Sequence, residues 1–389
     1  MTVVLAASTL AALAILLLHV ALILGSLLSI VAERHFVAIE AEIEAGRVSV
    51  IVPARDDQDG LPRLLSCLER QNTNRFEIVL VNDRSEDRTE EIMREFSSRH
   101  RGRVRVVTLE EDPGAADSRQ QALAAGAAAA TGDLLLITDA NSWVPVDWVR
   151  TMCRPFKSHD AGLVFGPVMP GREASRRRRG FLDLFQGFDQ LLRYEYTSGL
   201  AGFGFPLGSF CNNIAVRRQA LSDVGGFEEL RFTQSVGVPL TGKIRETGRW
   251  AIRAIRSRGA RVFSTPERSL SGLILRRIRW SRGALVARDA TTRRTYTSVV
   301  AVLLGSVLLV PIGAYVAWPL ALPAVAVFVG MGMLAITAGV QCSPGLGYWL
   351  LLLPHIVLFM LFESVVMILG AMTSGKRKRG RVSANAAVV

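Results

Sequence analysis

Asp83 and Asp139 stand at or just past the ends of two apolar runs, "FEIVLVND" and "GDLLLITDAN". A third run, "VSVIVPA", is followed at once by Arg55, Asp56 and Asp57. A lone Asp after a strand is more commonly a helix cap. Several acids delivered by neighbouring strand ends point instead to a nucleotide site. Asp139 and the residue two places on would present two acids to a hard divalent cation, which wants anionic oxygen ligands. The second position, however, is Asn141. An amide carbonyl coordinates without net charge, so Asp139 is expected to hold Mg²⁺ or Mn²⁺ only weakly.

The elements that must position these residues alternate. Val48–Ala54, Phe76–Asp83, Val104–Leu109 and Asp133–Asn141 read as strands, rich in β-branched or aliphatic residues. Leu61–Gln71, Glu86–His100 and Asp117–Gly132 read as the helices between them. Strand and helix in alternation predict an α/β fold with a doubly wound, mostly parallel sheet. Ligands of such sheets lie beyond the carboxyl ends of the strands, where Ala54, Asp83 and Asp139 fall.

Five motifs, in order, carry a family resemblance: "VSVIVPARDD", "VNDRSEDRT", "GDLLLITDAN", "SFCNNIAVRRQALSDVGGF" and "RRIRWSRG". Together they make residues 48–285 resemble the membrane-anchored, processive-type family 2 glycosyltransferases, which have the GT-A fold. The resemblance implies a nucleotide-diphosphate sugar donor, usually a UDP sugar, and transfer with inversion. It assigns Pro53, Ala54, Arg55, Asp57 and Asp83 to donor binding, and Asp139 and Asn141 to the D-x-D position. Gly208, Asn212 and Asn213 fall on the acceptor side. The family's Q-x-x-R-W motif keeps Arg279 and Trp280 but has Arg276 in place of Gln. Its T-E-D motif is Ser235, Val236 and Gly237 here, so the position of the catalytic base is a glycine and no base is identified.

These departures share a sign: carboxylates are lost and a guanidinium is gained. One reading has Arg276, Arg279 and Arg119 clamp the diphosphate in place of a metal, as arginine forks do well. The enzyme would then be metal-independent. The alternative is a catalytically inactive scaffold or partner subunit that keeps the fold. A polysaccharide synthase is a further alternative, disfavoured by the few membrane segments. A lipid or lipid-linked acceptor reached from the cytoplasmic leaflet is the preferred partner, because so few membrane segments argue against a long polysaccharide channel.

The membrane reading rests on charge-free runs. Val3–Val31 contains no Asp, Glu, Lys or Arg, enough to cross a hydrocarbon core of about 30 Å. A second apolar block, Ser298–Met372, divides into segments 298–317, 319–340 and 348–371. The expected organisation is an anchor at 1–33, a nucleotide-sugar domain at 47–285, a linker at 286–297, membrane segments at 298–372 and a basic tail at 373–389. Arg293 and Arg294 before the block and Lys376–Arg381 after it both favour the cytoplasm. Three crossings would put them on opposite sides, so either one segment is re-entrant or the charge rule fails at the tail. His355 and Glu363 sit about 80° apart on one helix, as bundle-facing or functional groups.

Half of the 389 residues are hydrophobic and the net charge is +12. The arginine clusters flank apolar spans without a recognition-helix pattern, which argues for anionic lipid and against nucleic acid. The protein is thus expected in the cell inner membrane as a multi-pass chain whose domain faces the cytoplasm. Four scattered cysteines fit reduced thiols and give no zinc motif. Phe181–Tyr196 is expected to lie on the membrane or cover the sheet, and Arg276–Tyr296 to lie in the interface above the site, with Trp280 at the headgroups.

Overall fold

The computed structural model describes residues 1–38, 47–110, 118–171, 180–230, 236–285, 290–342 and 346–384. The side chains of Arg279 and residues 373–384 are outside that description, as are the acidic run 39–46, the arginines at 176–179 and Ser235. A long helix, α1 (Thr2–Ala38), leads to β1 (Val48–Ala54) and α2 (Leu61–Glu69). Then come β2 (Phe76–Asp83), α3 (Thr89–Arg99), β3 (Val104–Leu109), α4 (Ser118–Ala129) and β4 (Leu134–Ile137). The chain continues through β5 (Ser142–Trp143), α5 (Trp148–Cys153), β6 (Ala161–Phe165), β7 (Val168–Pro170) and α6 (Phe181–Gly202). β8 (Ile214–Arg217), α7 (Arg218–Asp223), α8 (Gly237–Glu246), β9 (Ala251–Ala254), β10 (Val262–Ser264) and α9 (Leu270–Leu285) complete the domain. The apolar block forms α10 (Ala290–Tyr315), α11 (Leu322–Cys342), α12 (Leu346–Leu350) and α13 (Leu352–Ala384).

Seven strands make the main sheet, in the order β3-β2-β1-β4-β8-β6-β9. β1 pairs in parallel with β2, from Val48↔Phe76 to Ala54↔Asn82, and with β4, from Val48↔Leu134 to Ile51↔Ile137. Val50, Ile51 and Val52 are wholly buried because helices cover both faces, which explains their unbroken apolar pattern. On one face α2, α3 and α5 pack through Leu61, Leu64, Met93 and Trp148. On the other, α4 and α8 pack through Leu123, Leu240 and Ile244. β8 alone runs antiparallel, between β4 and β6. A second sheet has the order β5-β10-β7.

Two boundaries differ from the sequence reading, and the loops explain both. The strand expected over Asp133–Asn141 stops at Ile137, where the chain turns and Ser142 donates its N–H to the Asp139 carbonyl at 3.0 Å. The helix expected from Glu86 starts at Thr89, since the Glu86 and Arg88 N–H groups donate to the Asp56 and Gln58 side chains instead.

The domain is bolted to the apolar helices. Glu33 of α1 accepts from the backbone N–H groups of Arg256 at 2.7 Å and Ser257 at 2.9 Å. The buried Arg256 guanidinium donates to Glu195 of α6 at 2.7 Å and to Ser26 of α1 at 2.6 Å. Helices α1 and α6 touch backbone to backbone: a Cβ on Gly25 would lie 2.0 Å from the Gly199 carbonyl oxygen. Small residues permit such crossings. Among the described residues, four stretches are long and apolar enough to cross a membrane: Thr2–Arg34, Arg293–Gly313, Trp318–Cys342 and Leu352–Gly370.

Candidate active site

Loops at the carboxyl ends of β1, β2 and β4 build the candidate site. The first two are laced together by side chain to backbone hydrogen bonds. Asp57 donates its N–H to Thr89 Oγ1 at 2.8 Å, Gln58 donates to Asp87 Oδ2 at 3.0 Å, and Glu86 donates to Asp56 Oδ1 at 2.8 Å. Each loop also contains one non-glycine residue in the left-handed region, Asp56 at φ 52° and Arg84 at φ 55°. Such backbone strain persists only where surrounding contacts hold it.

Four of the expected donor residues meet at this edge. Asp83 is buried, bonded by Arg84 and by Ser118 Oγ at 2.6 Å. Arg119, at the start of α4, forms an ion pair with Asp139. Burial opposes the charge on Arg119, but Asp139 and the side chain of Cys211 outweigh it and raise its pKa. Asp57 lies close enough to feel Asp139: burial first, then that carboxylate, push its pKa up to about 6. The Arg55 N–H and Arg119 pull in the opposite direction. A carboxyl perturbed in this way, beside a second carboxylate at a sheet edge, is a candidate functional group. Asn141 is exposed beside them, and its backbone carbonyl accepts from Thr265 at 3.3 Å. Gly60 lets that turn approach, since a Cβ there would come within 2.9 Å of Asn141 Cα.

The acceptor-side residues divide. Gly208 and Ser209 pack on the start of α8, where Gly237 lies. A Cβ on Gly237 would sit 2.1 Å from the Ser209 carbonyl oxygen, so the position that the resemblance assigns to the base has no room for a side chain. Asn212 is half-buried, whereas Asn213 is wholly buried and committed to structure. It donates to the carbonyls of Pro167 at 2.9 Å and Ala260 at 2.7 Å, and accepts from the Trp148 indole at 3.0 Å.

Arg276 and Trp280 ride on α9, a few residues beyond the Thr265 contact with Asn141. Arg276 donates to Gln186 at 2.8 Å, pairs with Glu267 at 3.4 Å and lies 5.8 Å from the Trp280 ring centroid. Its neighbour Arg277 is buried against Asp189 and stacks 4.5 Å from the same ring. Of the three guanidiniums expected at the diphosphate, the structure places Arg119 on Asp139 and Arg276 on α6; the Arg279 side chain is not described. Nothing local in the sequence marks Thr89, Asp87 or Cys211 for these roles, because their partners Asp57, Gln58 and Arg119 lie far away along the chain.

The mostly parallel sheet that gathers acids and an arginine at its carboxyl edge is an α/β fold like the GT-A fold. Residues 49–225 match the family described as Glycosyl transferase family 2. It is 26% identical over 212 residues to a probable glycosyltransferase, YdaM, of Bacillus subtilis, covering 50% of this chain and 48% of that protein. It is 34% identical over 173 residues to an undecaprenyl-phosphate 4-deoxy-4-formamido-L-arabinose transferase of Edwardsiella ictaluri, covering 43% and 50%. The chain thus spans about half the length of these relatives. Among solved structures, a mannosyltransferase of Pyrobaculum calidifontis in complex with GDP-Man and Mn²⁺ shares the fold, with TM-score 0.52 and 17% identity over 92% of this chain and 97% of that one.

Proposed function

We propose that this chain is a membrane-bound transferase that moves a sugar from a nucleoside-diphosphate donor, a UDP sugar by preference, with inversion onto an anionic lipid-linked acceptor. The convergence of Asp57, Asp83, Arg119 and Asp139 at one sheet edge carries the reading. The residues present do not fit a divalent-ion site of the expected kind. Asp139 is already matched by Arg119, and Asn141 brings no charge. Among the described residues no three His, Cys, Asp or Glu side chains gather to hold a metal. Charge on the departing diphosphate therefore falls to guanidinium groups, Arg119 first.

The closed base position favours a particular acceptor class. A hydroxyl nucleophile gains about 10²–10⁴-fold from a positioned base. A phosphate monoester is already anionic and attacks without losing a proton, so Gly237 costs it nothing. The undecaprenyl-phosphate transferase among the relatives supports this choice. Basic segments on both sides of the apolar block support a domain facing the cytoplasm at the inner membrane.

Detergent-purified protein should be given UDP-glucose, UDP-N-acetylglucosamine or GDP-mannose with either a polyprenyl phosphate or the matching polyprenol. Transfer to the phosphate and not the alcohol, lost in Asp83→Ala, is expected. Nucleotide binding without transfer to either lipid would support the inactive-scaffold reading instead.

A further inference from the structure

We propose that α13, though long enough to cross a bilayer, lies along the domain-side leaflet, with an apolar stripe on the acyl chains and a basic end among anionic headgroups. Helices α1 and α11 fix which end of the apolar block faces the domain. Glu33 near the end of α1 bonds Ser257, and Gln341 and Cys342 at the end of α11 bond Arg256 and Arg261 through their side-chain and backbone oxygens. The two helices run parallel: a Cβ on Gly330 would meet His19, and Gln341 donates to Ser26 at 3.4 Å. Helix α10 runs the other way. It starts beside the domain, where Tyr296 is bonded by Ser281 of α9, and its far end at Gly313 packs on Ala321.

Were α13 to cross as well, Leu352–Gly370 would span about 28 Å at 1.5 Å per residue, and Gly370 would end near Gly313 and Trp318. Instead a Cβ on Gly370 would contact Ser281 at 3.5 Å, and Ser281 precedes the point where α10 leaves the domain. Midway, Glu363 pairs with Arg193 of α6. At the start, the His355 ring lies 5.1–6.2 Å from the rings of Phe181, Phe185 and Phe188, also of α6. From His355 to Gly370, then, α13 follows helices that rest on the domain.

Its opposite face is exposed and apolar: Leu353, Val357, Leu361, Val365, Ile368 and Met372. Their spacing of three and four residues makes one stripe, suited to acyl chains. Lys376–Arg381 follow on the same helix and suit anionic headgroups. The partner of this surface is therefore the bilayer leaflet next to the domain. The arrangement leaves two crossings in the C-terminal block, which puts Arg293, Arg294 and the basic end of α13 on one side.

Vesicles of known orientation test this with the full chain carrying an epitope tag after Val389, and with a second version tagged at Val316 between α10 and α11. The expected result is that the tag after Val389 and an antibody against the domain react in the same orientation, while the Val316 tag reacts in the other. A tag after Val389 that reacts opposite to the domain would overturn the proposal. So would a Val316 tag that reacts on the domain's side.

Discussion

Arg119→Ala probes the candidate site most sharply, because Arg119 is the cation that the structure sets against Asp139. Losing a hydrogen bond to a charged group costs about 1.5–3 kcal/mol, which at about 1.4 kcal/mol per tenfold predicts UDP binding about 10- to 150-fold weaker. A second consequence distinguishes this from a general loss of structure. Arg119 is one of the groups holding Asp57 down, so without it the Asp57 carboxyl should titrate above about 6. A third follows from charge: with its guanidinium gone, Asp139 is exposed to cations, so Mn²⁺ should restore part of the variant's affinity while leaving the wild type unaffected. Calorimetric titration of UDP at 0.15 M salt (a Debye length of about 8 Å), in EDTA and in Mn²⁺, reads all but the Asp57 shift. Equal affinities for wild type and variant in EDTA would refute the assignment of Arg119 to the diphosphate.

Gly237→Asp should not create a base; packed against the Ser209 carbonyl, it should destabilise by about 1–3 kcal/mol as overpacking does, seen as a lower Tm with no gain in transfer. Asn213→Ala orphans the Trp148 indole and two carbonyls, so stability should fall by at least about 1–3 kcal/mol; unchanged UDP affinity in the folded fraction would confirm a structural role, and a selective loss of acceptor affinity would contradict it. Asp57 has its pKa raised from 3.8 to about 6, so the folded state holds that proton more tightly than the unfolded one. Stability should therefore decline as pH rises from about 4 to about 6, a dependence that Asp57→Asn removes. UDP-glucose, whose diphosphate does not titrate there, should bind more tightly below that window than above it, as isothermal titration across pH would show.

The parallel core was legible because β1 and β2 are buried on both faces, which forces unbroken runs such as Val48–Ala54 and Phe76–Asp83. Short strands such as β8 and β9, four residues each, carry too little pattern to separate from loops, and the antiparallel insertion of β8 depends on partners far away in sequence. Site positions that end strands were readable for the same reason the strands were. Arg119 differs: nothing local separates it from the chain's other arginines, and only the packing of α4 against β1 and β2 brings it to Asp139. Arg276 stands where the family keeps Gln, but its link to Glu267 and Gln186 depends on how α9 crosses α6. The bolts through Glu33, Glu195 and Arg256 are non-local in the same way. Parity of charge around the apolar block leaves a re-entrant segment and a failure of the charge rule at the tail equally open, because the contacts of Gly370 with Ser281 and of Glu363 with Arg193 are non-local.

The most direct test of the account is the initial rate of sugar transfer from a UDP sugar to a polyprenyl phosphate, measured on the same wild-type preparation in EDTA and in Mn²⁺. Guanidinium groups in place of a metal predict the same rate in both. Transfer that stops in EDTA and returns with Mn²⁺ would contradict it and restore a metal to Asp139.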